Sequence, residues 1–313
     1  MEFLRLLEGL RNPVFDVFFS LVTRFGEELV FIVVGIVFFW CIDKRRGYYI
    51  LSVGFLGTVL NQFLKLLCRI PRPWVRDPSF TIVESARAEA TGYSFPSGHT
   101  QSSVGVFGAI ARIFSRTWVR ITCLAICILV PLSRMYLGVH TPADVGVSIG
   151  IAVLLVFGLY PIIDKASATP RRMRIFLASM LSLSVLYLLF VLLFPFPEDI
   201  DPHNYASGVK NAYKILGCIL GLFVAYEIDA RYVNFETSGS LTTQVLKVVL
   251  GLLPLLAIKE GLRTPLEWIF GNGVSDGVRY LLLTAFAGGV WPMTFPWISR
   301  LADKIKKAKK KEA

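Results

Sequence analysis

Three short polar clusters interrupt an otherwise apolar chain, and their residue types match what a phosphate ester needs. The first is Lys65-x6-Arg72-Pro73, the second Pro96-Ser97-Gly98-His99, and the third Ser133-Arg134-x5-His140-x3-Asp144. They fix eleven positions and gather three cations and two of the chain's three histidines at or near the ends of apolar runs. Cations there are costly unless they snorkel or serve a function, and a convergent set calls for a counter-anion. Phosphate is the natural candidate. Arginine offers a planar fork for two oxygens, lysine a point charge, and the Ser97-Gly98 turn opens a helix whose free N–H groups favour anions. Gly98 also lets backbone approach closely.

Each cluster alone has a plain structural reading. Lys65 could snorkel, Arg72-Pro73 could end a helix, and Pro96-Ser97 could form an ordinary N-cap. Thr141-Pro142-Ala143-Asp144 has the form of a capping box with proline at the first helical position. Those readings leave unexplained why His99 and His140 both fall inside the clusters and why Arg134 stands beside an apolar run.

The elements that must position these residues are membrane helices. The chain has 313 residues, 54% of them hydrophobic and 18% charged, and a soluble enzyme is excluded by that balance. Residues 3 to 11 have the spacing of an interfacial amphipathic helix, and Pro13 to Thr23, too short to span and carrying Asp16, reads as a second interfacial or re-entrant helix. Nine spans are predicted at 27–42, 47–67, 101–115, 120–138, 142–163, 175–195, 211–229, 243–258 and 277–298. The formal charge of +11 reports topology, not nucleic-acid binding: the basic connectors 43–46, 112–120 and 165–174 and the tail 304–311 alternate consistently for one cytoplasmic face. All three clusters then lie on the opposite face. Cys41, Cys68, Cys123, Cys127 and Cys218 read as buried thiols, since no C-x-x-C pair occurs. His203 has acidic neighbours but no metal-site spacing, Asn61 and Gln62 should bond neighbouring helices, and Trp268, Trp291 and Trp297 read as interfacial anchors.

The three clusters resemble the signature of the type 2 phosphatidic acid phosphatase superfamily, K-x6-RP, PSGH and SR-x5-H-x3-D, with every specified position present. The resemblance covers roughly residues 27 to 163 and implies an all-α, polytopic transmembrane bundle. The expected organisation is residues 1–26 as N-terminal interfacial or re-entrant helices, 27–163 as the catalytic membrane core, and 164–313 as additional transmembrane helices with a basic cytoplasmic tail. The implied activity is metal-independent hydrolysis of a membrane lipid phosphate or diphosphate through a phosphohistidine, with no cofactor and no metal. The chain is then expected in a plasma membrane or bacterial inner membrane, its active site on the non-cytoplasmic side.

By that resemblance His140 is the nucleophile, His99 the general acid and base, and Asp144 the group that holds the second ring nitrogen of His140. Lys65, Arg72, Ser97, Gly98 and Arg134 bind phosphate, while Pro73, Pro96 and Ser133 belong to the motif without a defined role; Ser133 either holds a phosphate oxygen or bonds the helix backbone. Two other readings fit the residues: a lipid-linked phosphotransferase with the same intermediate, and a phospholipid transporter that uses the site only for binding. The related vanadate-dependent haloperoxidases are soluble, which the hydropathy here argues against.

Overall fold

A computed structural model describes residues 1–312, with side chains through Ala308. The basic residues Lys309 to Lys311 of the expected tail thus lie outside the described side chains. Fourteen α-helices and no strand occur among the described residues. They are α1 (Glu2–Gly9), α2 (Pro13–Val22), α3 (Glu28–Val37), α4 (Lys44–Cys68), α5 (Pro73–Arg76), α6 (Gly98–Ile113) and α7 (Thr117–Tyr136), then α8 (Pro142–Ala166), α9 (Pro170–Leu193), α10 (Pro202–Ile228), α11 (Leu241–Gly261), α12 (Arg263–Phe270), α13 (Val274–Ala285) and α14 (Phe295–Glu312).

Seven helical runs are long and apolar enough to cross a membrane: Lys44–Arg76, Thr117–Tyr136, Pro142–Ala166, Pro170–Leu193, Pro202–Val233, Leu241–Phe270 and Val274–Ala308. An eighth arises if Pro13–Gly26 and Glu28–Ile42, bent by 50°, form one broken span. The chain is a multi-pass membrane protein. Two of the nine predicted spans differ: 27–42 crosses only if it is joined to Pro13–Gly26 as that broken span, and 101–115 does not qualify. There α6 has 16 residues, about 24 Å of helix against roughly 30 Å of hydrocarbon. Its first turns carry Thr100, Gln101 and Ser103, all buried.

The chain forms two compact units. The first comprises Met1–Val34, Tyr49–Ile162 and Leu189–Ala212. In it α6 packs on α7. One stripe of α4, residues 53, 57, 61 and 65, recurs every fourth position and so lies on one face. That stripe meets α6: a Cβ at Gly105 would touch Val53, one at Gly57 would touch Gln101, and one at Gly98 would touch Asn61.

The N-terminal helices belong to this unit. Asn12 caps α2, its Oδ1 accepting from Val14 N and Phe15 N at 3.1 Å. The predicted interfacial helix α1 also has protein to cover, because Leu4 packs with Phe80 and Ile82. Arg5 pairs with Asp77 at 2.7 Å, Glu8 accepts from Thr81 N at 2.8 Å, and Arg11 donates to Tyr136 O at 3.0 Å. Asp16, unusual in an apolar helix, accepts from Tyr136 Oη at 2.8 Å.

The second unit comprises Gly35–Tyr48, Ile163–Leu188 and the residues from Tyr213 on. Trp40, fully buried in a π-helical turn (Phe38–Ile42), donates Nε1 to Ala287 O at 2.8 Å. Asp229, also in a π-helical turn, pairs with Lys44 at 2.7 Å. Trp291, expected as an interfacial anchor, instead donates to Lys247 O at 3.1 Å; Trp268 and Trp297 are exposed. No disulfide occurs among the described residues; of the five thiols expected to be buried only Cys123 is, while Cys41, Cys127 and Cys218 are half-buried and Cys68, at the end of α4, is exposed.

Gly217 and Gly221 of α10, four residues apart, bring two helix backbones together: a Cβ at Gly217 would run into Gly277 O, and one at Gly221 would lie 2.6 Å from Leu281 O. Gly217→Ala is therefore expected to lower stability by about 1–3 kcal/mol through overpacking. Thermal unfolding of the purified proteins, followed by fluorescence-detected size exclusion, checks this.

Candidate active site

Lys65 lies in the last turn of α4, and Arg72 precedes Pro73, which opens α5 at the position where proline's missing N–H is harmless. Arg72 ties two distant stretches together. Its Nε donates to Gly92 O at 3.1 Å and Nη2 to Thr91 O at 2.7 Å, while Nη1 reaches Val139 O at 3.0 Å and His140 Nε2 at 2.9 Å. Lys65 Nζ donates to Tyr93 O. The loop before α6 thus folds around both cations, which are only 6% exposed.

Ser97 caps α6, its Oγ accepting from Thr100 N at 3.4 Å, and follows a cis Phe95–Pro96 bond. Ser97 N donates to Asp144 O at 3.2 Å, joining the second cluster to the third. His99, in the first turn of α6, has Nε2 buried without a protein partner. A Cβ at Gly26 would sit 2.8 Å from the His99 carbonyl and Cβ, so the turn Thr23–Gly26 lies hard against this residue. Gly98 has no such crowding: a Cβ there would meet Asn61 Oδ1 at 3.8 Å, an ordinary contact.

Arg134 and His140 come from the end of α7 and the link to α8. Val139 N bonds Arg134 O at 3.1 Å, and Gly138, with φ of +82°, supplies the left-handed turn. Arg134 is fully buried; Nη1 donates to Thr23 Oγ1 at 2.9 Å, and Nε and Nη2 have no partner. Ser133 Oγ donates to Val130 O at 2.6 Å, which is the helix-bonding alternative of its two readings. Asp144 Oδ2 accepts from Thr141 N at 2.7 Å while Asp144 N bonds Thr141 Oγ1 at 3.3 Å, a reciprocal cap. The same Oδ2 lies 3.5 Å from His140 Nδ1. Asp144 therefore both caps α8 and faces the imidazole.

With Arg72 donating to Nε2, the proton of a neutral His140 belongs on Nδ1, toward Asp144. Burial first, then the charges of Arg72, Arg134, Lys65 and His99, hold the His140 pKa well below the usual histidine range. A neutral ring with a lone pair on Nε2, ringed by cations, suits attack on a bound oxyanion.

Two features escape a reading of spacing. Ser94, fully buried, donates Oγ to Asp144 Oδ2 at 2.6 Å and so helps hold the oxygen that faces His140. Asn61 and Gln101 are buried with both amide atoms unpartnered, contrary to the expectation for Asn61; Gln62 does accept from Asn211 of α10 at 3.2 Å. His203 is exposed, and among the described residues no group of His, Cys, Asp or Glu is arranged to hold a metal ion.

Residues 46–168 match the family described as PAP2 superfamily, and residues 213–304 match the one described as PAP2 superfamily phosphatase, transmembrane extension. All three clusters fall in the first segment. A probable sphingosine-1-phosphate phosphatase of Dictyostelium discoideum is 27% identical over 187 residues, 56% of this chain and 42% of that protein. Sphingosine-1-phosphate phosphatase 1 of Mus musculus is 28% identical over 154 residues, 47% of this chain and 34% of that protein. These alignments span less than half the length of both relatives. Undecaprenyl-diphosphatase BcrC of Bacillus subtilis is 28% identical over 160 residues, 50% of this chain and 80% of that protein. No solved structure gives a significant match.

Arg134 has a planar fork with two free donors, which lysine cannot reproduce. Arg134→Lys is expected to weaken binding of orthovanadate about tenfold or more. Isothermal titration of the purified protein measures it, with unfolding temperature as the control for structure.

Proposed function

Because the chain belongs to the PAP2 superfamily, we propose that it hydrolyses a membrane lipid phosphate or diphosphate, without a metal, through a phosphohistidine at His140. The observation that carries this is the 2.9 Å contact between Arg72 Nη1 and His140 Nε2. An anionic oxygen that takes over this guanidinium donor brings its phosphorus to the ring nitrogen. The printed names of the relatives, phosphatases of sphingosine phosphate and of a polyprenyl diphosphate, support the substrate class.

In the first step the Nε2 lone pair attacks phosphorus, forming N–P as the P–O bond to the lipid breaks. Burial and the charges of Arg134, Arg72 and Lys65 hold the His99 pKa down as well, so His99 takes up its proton as the bound phosphate offsets those cations, and gives it to the departing oxygen. Asp144, held by Ser94 and Thr141, stabilises the Nδ1–H of the phosphorylated imidazole. In the second step His99 takes a proton from water, the hydroxide forms the new P–O bond, and N–P breaks to release phosphate and restore the ring. Lys65, Arg72 and Arg134 carry the charge on the phosphoryl oxygens throughout, and the N–H groups that open α6 at Gly98 add to them. Lipid tails lie between spans while the headgroup meets the cations, on the non-cytoplasmic side by the distribution of basic connectors.

His140→Ala should abolish phosphate release from a panel of lipid phosphates, and His99→Ala should slow it about 10²–10⁴-fold. Rapid acid-sensitive trapping of labelled enzyme should show an N–P adduct in wild type and none in His140→Ala; full activity of that variant overturns the assignment. Turnover is expected to survive chelator and to be inhibited by vanadate.

The pH dependence follows from the sign of the His140 shift. Protonation removes the nucleophile, so the acid limb of kcat/KM should lie below the unperturbed histidine value of about 6.5. Removing a neighbouring cation makes the protonated ring less unfavourable, and Arg72→Ala should move that limb to higher pH. A pH–rate series on both proteins measures the displacement.

A further inference from the structure

The second unit holds a cavity of about 510 Å³ that the chemistry above does not use. That volume lies in the range of small-ligand sites, roughly 300–1,000 Å³. Its wall includes Lys247, Glu236, Phe235, Met293, Phe295 and Ser299. Lys247 sits six residues into α11, only 1% exposed, with its ammonium 4.5 Å from the centre of the Phe295 ring. An ammonium has three donors. Two of them reach Glu236 O and Ser238 O at 3.3 Å, and the third has no acceptor among the described residues. No carboxylate lies within ion-pair distance of it among those residues either. A lysine buried this way in an apolar helix calls for an anion.

We propose that this cavity binds the phosphodiester headgroup of a bilayer phospholipid. The charge of the pocket selects that chemistry. Three cations converge in the first unit, which suits a phosphomonoester of charge near −2. Here a single cation is accompanied by the exposed carboxylate of Glu236, so a singly charged diester is favoured over free phosphate or a monoester. The walls supply apolar contact for the glycerol and upper acyl carbons through Phe235, Met293 and Phe295. The lipid has a route in, because α14 starts at this wall and buries Phe295, Ile298 and Ala302 while exposing Arg300, Lys304, Lys306 and Lys307. Basic residues exposed toward the end of a spanning run meet anionic headgroups where the run leaves the bilayer.

The test is native mass spectrometry of full-length protein, stripped of lipid in detergent, with phosphatidylglycerol, with diacylglycerol and with inorganic phosphate. Saturating vanadate blocks the first-unit pocket, and an Arg134→Ala protein repeats the measurement. The expected result is one phosphatidylglycerol adduct that survives both conditions, none with diacylglycerol, and no displacement by inorganic phosphate. Lys247→Met and Ser299→Trp should each weaken the adduct about tenfold. The tryptophan fills the cavity without removing the lysine, so it carries the test if Lys247→Met does not fold, and unfolding temperatures without lipid identify that case. The proposal is overturned if wild type takes up no adduct, if a folded Ser299→Trp protein binds as wild type, or if inorganic phosphate alone occupies the site. None of these outcomes bears on phosphate release at His140.

Discussion

Three buried cations that lack carboxylate partners set the terms for the first unit. Lys65, Arg72 and Arg134 are at most 6% exposed, and their hydrogen bonds go to carbonyl oxygens, a hydroxyl and a neutral ring nitrogen. Carbonyl dipoles satisfy donors without cancelling charge, so the positive potential stays available to an incoming oxyanion. A carboxylate in the same place would stabilise the resting protein and compete with the substrate. Asp144 is an acid close by, and it is turned instead toward Ser94, Thr141 and His140 Nδ1.

That requirement explains the loop from Arg69 to Pro96. Its irregular backbone exposes Thr91, Gly92 and Tyr93 carbonyls to Arg72 and Lys65, which a continuous helix would have used for its own bonds. The cations shape the loop as much as the loop cages them. The loop is in turn fastened at its other face by Arg5, Glu8 and Arg11, so helices that resemble membrane-surface decoration are part of the frame.

Much of this was legible in the sequence, for reasons that differ residue by residue. Hydropathy locates most helices, because crossing hydrocarbon demands length and apolarity together; it overreaches at α6, where buried polar residues in the first turns serve a site, not a span. The relation of Asp144 to His140 lies within one turn of chain, so spacing carries it. Ser94 and Asp144 are fifty residues apart, and a serine two residues before a proline has no local mark that distinguishes it from any other turn residue. Asn61 and Trp291 depart from expectation in opposite directions: the amide expected to bond a neighbouring helix has no partner among the described residues, and the indole expected to anchor at the interface donates to Lys247 O, because the tertiary arrangement decides both.

Beside the buried contact of Leu4 with Phe80 and Ile82, the fastening of α1 to the loop includes one part-exposed charge pair, Arg5 with Asp77, whose side chains are 38% and 32% accessible. Dissolved ions screen such pairs over about 8 Å at physiological strength and over less in brine. The caging loop therefore has a dependence on dissolved salt that the sealed cations beneath it lack: ionic strength at that surface sets how firmly the charged part of the roof is held, while the floor keeps its charge.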